Sequence, residues 1–302
     1  MPDSSKWVGV FITFLGAILF STKAILVKLA FRDVHIDVVS LLALRMFCSL
    51  PFFLLAAWWS SGAEKVSLNF REWLTVATLG LMGYYVSSWF DFMGLQFISA
   101  GLERLILFLY PSFTALINYF LFKQALGKRQ RWALLLTYIG LAVAYYSEIN
   151  LDAAKPDFLL GSFLIFCCSI TYAIYMAGTG RMVPKVGATR FTAYAMLSAT
   201  MGIFIHFAFR HTLQDIHLSG GMWQYGILLA IISTVLPSFL ISAGMKRIGS
   251  NNAAIVSGIG PVSTIIQANI FLGEKMHAGQ IIGTMLVVAG VLLIGWKSSP
   301  AG

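Results

Sequence analysis

The chain has 302 residues, of which 58% are hydrophobic and only 11% charged, and its mean hydropathy is +0.81. That composition excludes a soluble fold of this size. The formal net charge of +9 does not make the chain a nucleic-acid binder, because its Lys and Arg residues sit in short gaps between apolar runs, where cytoplasmic membrane loops carry them.

Apolar runs of about 20 residues, the length that crosses a bilayer, predict ten transmembrane helices, at 8–30, 37–59, 73–95, 102–122, 130–147, 158–178, 190–209, 222–245, 252–272 and 278–296. They fill the chain and leave no room for a soluble catalytic domain. The first follows a short charged lead, Met1 to Lys6, but is too long for a signal peptide and lacks an Ala-x-Ala site, so it reads as structure. It carries Lys23 well inside the membrane, the second carries Arg45, and the third carries Asp91. On the third, Tyr84, Ser88 and Asp91 recur at i, i+4, i+7, with Tyr85, Trp89 and Phe92 as the adjoining stripe, so one side of this helix is polar and aromatic together. Lys28 and Glu103 fall near span ends, where snorkelling to the interface is the cheaper account. The sixth span carries Cys168, Tyr172, Tyr175 and Thr179. The eighth and ninth add Thr234, Ser238, Thr264 and Gln267 near Pro237 and Pro261, where bending frees backbone carbonyls for a ligand or water. Pro111 and Pro261 themselves read as packing kinks, and Gly279 and Gly283 as small residues for close packing between spans rather than for a dimer. Cys48, Cys167 and Cys168 all lie in apolar stretches, which fits neither a disulfide framework nor CxxC metal spacing.

Lys and Arg gather in the connections on the amino-terminal side, at Lys6, Lys65, Arg71, Lys123, Lys128 and Lys185 among others, whereas the opposite side has Arg32, Arg104, Lys155, Arg210 and Lys275. Both termini are therefore expected in the cytoplasm. The sequence also repeats. At a constant offset of 150, Gly94, Ile98, Pro111, Gln130 and Gly140 fall on Gly244, Ile248, Pro261, Gln280 and Gly290, and at an offset of 152, Gly9, Phe11 and Phe14 fall on Gly161, Phe163 and Phe166. Spans one to five and six to ten thus read as two copies, 1–152 and 153–302. Five is odd, so the second copy enters the membrane with opposite polarity, an architecture common among secondary transporters with a midplane site between the copies.

Ionisable groups inside a bilayer are expensive and mark a solute or ion path. For Lys23, Arg45 and Asp91 the bland reading is a structural ion-pair network; the sharper one is a cavity lining in which Asp91 pairs with Lys23 or Arg45 and a cation is left for a solute carboxylate. The aromatic positions read either as cavity walls or as interfacial belts, and their mid-span location favours the cavity. There is no HExxH, no GxSxG, no paired aspartates at metal spacing and no Walker motif, and His206 has no second histidine at ligand spacing, so an intramembrane enzyme fits poorly. A receptor or a purely structural role is open to the sequence but leaves the inverted duplication unexplained.

The segment Leu19-Phe20-Ser21-Thr22 with Lys28, the run Leu42-Ala43-Leu44-Arg45, and Gly273-Glu274 followed by Gln280 and Gly283 resemble the EamA-type branch of the drug/metabolite transporter superfamily over nearly the whole chain. Three positions depart from the family pattern: Lys23 stands where a small or amide residue is usual, Phe20 replaces a Trp, and Lys123-Gln124 replaces the Gly-Glu that the second copy keeps. The resemblance implies an all-α membrane protein of ten helices around a central cavity and export of amino acids or other small metabolites, drugs being the alternative cargo. The expected cavity set is Lys23, Arg45, Tyr84, Tyr85, Ser88, Trp89, Asp91, Tyr172, Tyr175, Ser238, Thr264 and Gln267. Aromatic amino acids are the favoured cargo, since rings supply stacking surface and cations meet a carboxylate. No cofactor, metal or nucleic acid is expected; the partners are a small solute and the lipid of an inner membrane, and the sequence leaves the oligomeric state open, a monomer being favoured.

Overall fold

The computed structural model describes residues 4–63, 68–123, 128–152, 157–211 and 219–295. Every regular element among them is helical, as an apolar chain in lipid requires: only a helix satisfies each backbone N–H and C=O within its own segment. α1 (Ser4–Val34) and α2 (Val38–Ala63) cover the first two predicted spans, and the third is one run built from α3 (Phe70–Gly80), a wider π segment π1 (Leu81–Val86) and α4 (Ser87–Gly94). α3 starts on a capping box: Asn69 accepts from the Glu72 N–H and Glu72 accepts from the Asn69 N–H. α5 (Ala100–Leu107) and α6 (Tyr110–Phe122) share the fourth span, α7 (Lys128–Asp152) is the fifth, and α8 (Phe158–Val186) and α9 (Ala188–Arg210) are the next two. α10 (Gly220–Ala230), π2 (Ile231–Val235), α11 (Leu236–Ser257), α12 (Gly260–Gln267), π3 (Ala268–Leu272) and α13 (Ala278–Gly295) follow. Among the described residues six helical stretches are long and apolar enough to cross a membrane, and Leu135–Ser147, Gly260–Leu272 and Ala278–Gly290 are shorter apolar helices.

The break between α5 and α6 follows from Pro111. Proline has no N–H and its ring collides with the carbonyl four residues back, which here is Leu107, the last residue of α5. Pro111 then sits in the first turn of α6, where its missing N–H costs nothing. Pro261 acts identically on Ser257, the last residue of α11, and opens α12. These prolines therefore divide helices rather than kink them. Two further features recur 150 residues apart: π1 and π2 begin at Leu81 and Ile231, and the left-handed residues Lys123 (φ 54°) and Gly273 (φ 68°) end α6 and π3. Glycine takes this conformation freely, whereas Lys123 takes it against its Cβ.

Helical hydrogen bonding continues through α11 where the sequence puts a connection between the eighth and ninth spans. The chain nonetheless reverses there. Gly16 packs on Leu240 and Ile241, Gly9 on Arg247 and Ile248, and Ser21 donates to the Gly260 carbonyl, so the path runs down α1 and returns along it. The helix pairs also exchange between halves: α1 packs on α10, π2, α11 and α12, and α8 packs on π1, α4, α5 and α6, while α2 meets α9 and α7 meets α13. Close approach at these crossings uses small residues: Gly80 lies on the backbone of Ala195, and Gly283 lies on Gly140 and Ala144 of α7. Large side chains such as Trp58, Trp59, Phe120 and Phe209 face outward, an apolar surface of the kind a bilayer covers.

Candidate functional site: a charged cluster inside the helices

The deepest polar groups meet where α1, α2, α4 and α5 converge. Lys23 on α1 extends its ammonium to within 2.5 Å of Asp91 Oδ2 on α4, and the two side chains are only 11% and 1% exposed. The same ammonium stands 5.7 Å from the centre of the Phe20 ring. Arg45 on α2 is buried too; its Nη2 donates to Ser88 Oγ at 3.0 Å, its guanidinium lies 5.0 Å over the Phe92 ring, and its Nε has no hydrogen-bond acceptor. Helical spacing explains the convergence, because Ser88 and Asp91 are three residues apart and share one face of α4. Asp91 therefore pairs with Lys23 while Ser88 holds Arg45.

Two members of this cluster escaped the sequence reading. Glu103, placed there at an interface, is 0% exposed, and Arg104, assigned there to an outer loop, is 7% exposed. The physical reason is the shortness of α5. Ser99 caps it by accepting from the Leu102 N–H, Glu274 closes its start by accepting from the Ala100 N–H, and α1, α8 and α12 wrap the rest, so all of Ala100–Leu107 is buried. No side chain on so enclosed a helix can snorkel. Lys28 likewise does not reach for the interface: its Nζ donates to the Ile98 carbonyl at 2.6 Å and lies 3.5 Å from Glu274 Oε1. Arg104 turns toward the second half, 5.3 Å from the Phe20 ring and against Gly260 at the start of α12. The signal for α5 was present in Ser99 and Pro111, which bound a short helix and set Glu103 one turn inside it.

The aromatic candidates divide into two groups. Tyr175 donates to the Tyr84 hydroxyl at 3.1 Å with the rings edge-on, Tyr172 tilts over Tyr175, and Tyr110 of α6 meets Tyr172 edge-on at 4.9 Å. Tyr175 is also packed on Phe191 and against Gly83, which makes it a wall rather than a free surface. Tyr85 and Trp89 point to the other side of the third span, where the Tyr85 hydroxyl lies 3.0 Å from His206 Nδ1 and Trp89 meets the same imidazole edge-on. Of the remaining candidates, Ser238 donates to the Thr234 carbonyl and Gln267 to Ser263 Oγ and the Ile18 carbonyl, which occupies their polar atoms within the helices. Thr264 is fully buried with Oγ1 unpartnered. None of the candidates lines the open apolar groove of about 410 Å³ between α2 and α9, which is walled by Leu50, Leu197, Thr200, Met201, Phe204, Ile205 and Ala208. Cys48, Cys167 and Cys168 are free thiols.

The model of the EamA-like transporter family matches this chain twice, over residues 7–146 and 159–296. The chain belongs to the EamA-like transporter family. It is similar to the uncharacterized transporter YcbK of Bacillus subtilis (strain 168), with 28% identity over 284 residues that span 91% of this chain and 88% of YcbK. YyaM, an uncharacterized transporter of the same organism, is 24% identical over 291 residues, 95% of this chain and 93% of its own. One crystal structure superposes with a TM-score of 0.64 over 95% of this chain and 96% of that one, at 17% identity, which is a likeness of fold. The protein is accordingly a multi-pass membrane transporter, and its buried charges belong to a family whose task is to carry solutes across the bilayer.

Proposed function

We propose that this EamA-family chain is a secondary transporter that exports small carboxylate-bearing metabolites across an inner membrane, amino acids foremost and aromatic ones preferred, by alternating access between two inverted five-helix copies, 1–152 and 153–302. Ten spans and cytoplasmic termini complete this reading. The observation that carries it is the charge imbalance of the buried cluster: among the described residues, Lys23, Arg45 and Arg104 face the two acids Asp91 and Glu103, and one of the three cations, Lys23, is committed to Asp91. Surplus buried cations call for an anion, and a solute carboxylate supplies it with charge-assisted hydrogen bonds to the guanidinium Nε atoms that lack acceptors. The Phe20 ring beside Lys23 and Arg104, together with the rings of Tyr84 and Tyr172 that pack on Tyr175, supplies the apolar and stacking surface that an aromatic side chain uses. The twofold family match, the backbone features repeated at 150 residues and the exchange of helix pairs support the two-copy architecture.

Counterflow into proteoliposomes holding the purified protein tests the reading. Phenylalanine, tyrosine and alanine are compared with phenethylamine, which keeps the ring and amine of phenylalanine but lacks its carboxylate. Exchange of phenylalanine above alanine, with phenethylamine excluded, is expected. Equal exchange of phenylalanine and phenethylamine would sink the assignment of the carboxylate to the buried cations.

A further inference from the structure

Among the described residues, Glu103 is the acid of the cluster with no cation at salt-bridge distance. It is 0% exposed, and neither carboxylate oxygen accepts a hydrogen bond from any described donor. Its chain neighbour Arg104 leans instead on Phe20 and Gly260, and Lys23 is committed to Asp91 at 2.5 Å. The side chain that Glu103 meets inside the cluster is Asp91, another buried carboxylate whose Oδ1 likewise has no hydrogen-bond donor. Facing this pair are Lys23 from α1, Cys168 from α8 and Arg104 on α5 itself, with Arg45 of α2 beside Asp91. Two buried carboxylates side by side, with no donor between them, repel unless one carries a proton, and burying a charged carboxylate that accepts no hydrogen bond is costly on its own account. With the proton on Glu103, its O–H donates to Asp91 while Asp91 accepts from Lys23, and each polar group of the chain Glu103, Asp91, Lys23 has a partner.

We propose that Glu103 is a proton-binding site, sharing its proton with Asp91, and that this proton sets how strongly the cluster holds a carboxylate. The second half of the statement rests on the carboxylate-transporter reading above; the first half does not. With Glu103 neutral, Lys23, Arg45 and Arg104 face a single fixed anion. Loss of the proton to water adds a second fixed anion beside Lys23, which competes with the solute carboxylate for the same cations. Proton and carboxylate therefore bind together, and raising the pH weakens solute binding.

Infrared spectroscopy of the purified protein in lipid at neutral pH tests the first half without any solute. The wild type should show a protonated-carboxyl C=O band that shifts on exchange into deuterium oxide and is absent from Glu103→Gln, whose amide donates to Asp91 in the same place. A wild type with no such band, or a band that persists in Glu103→Gln, overturns the site. Counterflow of phenylalanine across a pH series tests the second half. The wild-type KM should rise about tenfold or more as the pH is raised, the effect of one added like charge near the site, whereas the Glu103→Gln profile should be flat and Glu103→Asp should keep a pH dependence. A wild-type KM that does not change with pH, or an unchanged slope in Glu103→Gln, overturns the control of binding. Complete absence of phenylalanine exchange in the wild type counts against the cargo reading, and the infrared result then decides the proton site alone.

Discussion

Asp91→Asn is the most informative single substitution, because it removes one charge of a pair and leaves its geometry in place. At the observed 2.5 Å separation, an effective dielectric of 20 gives a gross attraction of about 7 kcal/mol. Desolvation of two nearly buried ions cancels much of that, so the pair adds little net stability, yet breaking it strands an ammonium that is 11% exposed and costs about 3–5 kcal/mol. Lys23→Met removes the stranded charge and fills its volume with an apolar chain. In the Asp91→Asn background it should therefore recover stability, with the double variant at least about 1 kcal/mol better than the sum of the two single losses. Thermal unfolding of the four proteins in one detergent measures this, and counterflow of phenylalanine in the same set should fall wherever Lys23 is missing. Strictly additive destabilisation together with unchanged exchange would refute both the pair and its role.

Phe20→Ala should lower counterflow of phenylalanine more than that of alanine, since lost ring surface weakens stacking and apolar burial; equal losses would place Phe20, with its partners Lys23 and Arg104, in packing alone. Glu274→Ala removes the acceptor at the start of α5, a loss of about 1 kcal/mol of capping, and hydrogen exchange at Ala100–Leu102 should quicken while α13 stays protected; unchanged protection there would contradict the cap. Glu72, at the exposed start of α3, has its carboxyl held below the usual range first by the Asn69 N–H and also by Lys185. A lowered native value means that its contribution is present above the unfolded value and is lost as the pH falls through the native one, so exchange at Asn69–Trp73 should rise on acidification in the wild type and be insensitive to acid in Glu72→Gln.

Much of this arrangement is written locally in the sequence, and the part that is not has an identifiable cause. The apolar runs announce the helices, and the spacing of Ser88 and Asp91 puts both on the face that Arg45 and Lys23 approach. The two stripes of the third span also separate in the structure, Tyr84 toward Tyr175 and Tyr85 with Trp89 toward His206. Sequence periodicity describes one helix at a time. It cannot report that Glu274, in the second half, covers the start of α5 and so converts Glu103 from an end-of-helix acid into a buried one. The same limit hid Arg104, whose surroundings come from Phe20 on α1 and Gly260 on α12. Tyr175 shows the same limit: its mid-span position is legible in the sequence, whereas the packing of its ring on Gly83 and Phe191 is not. Thr264, Ser238 and Gln267 lie on helices as expected, and what the sequence could not tell is that the last two spend their polar atoms on nearby helix groups.

The proposed transport by alternating access depends on two copies of opposite polarity, and single-cysteine labelling tests that proposed inversion most directly. Lys128, at the start of α7, and Lys275, after π3, occupy corresponding connections and are both exposed. In oriented vesicles, a membrane-impermeant thiol reagent should reach Lys128→Cys only from the cytoplasmic side and Lys275→Cys only from the outer side. Labelling of both positions from the same side would contradict the inverted arrangement and the alternating-access account built on it.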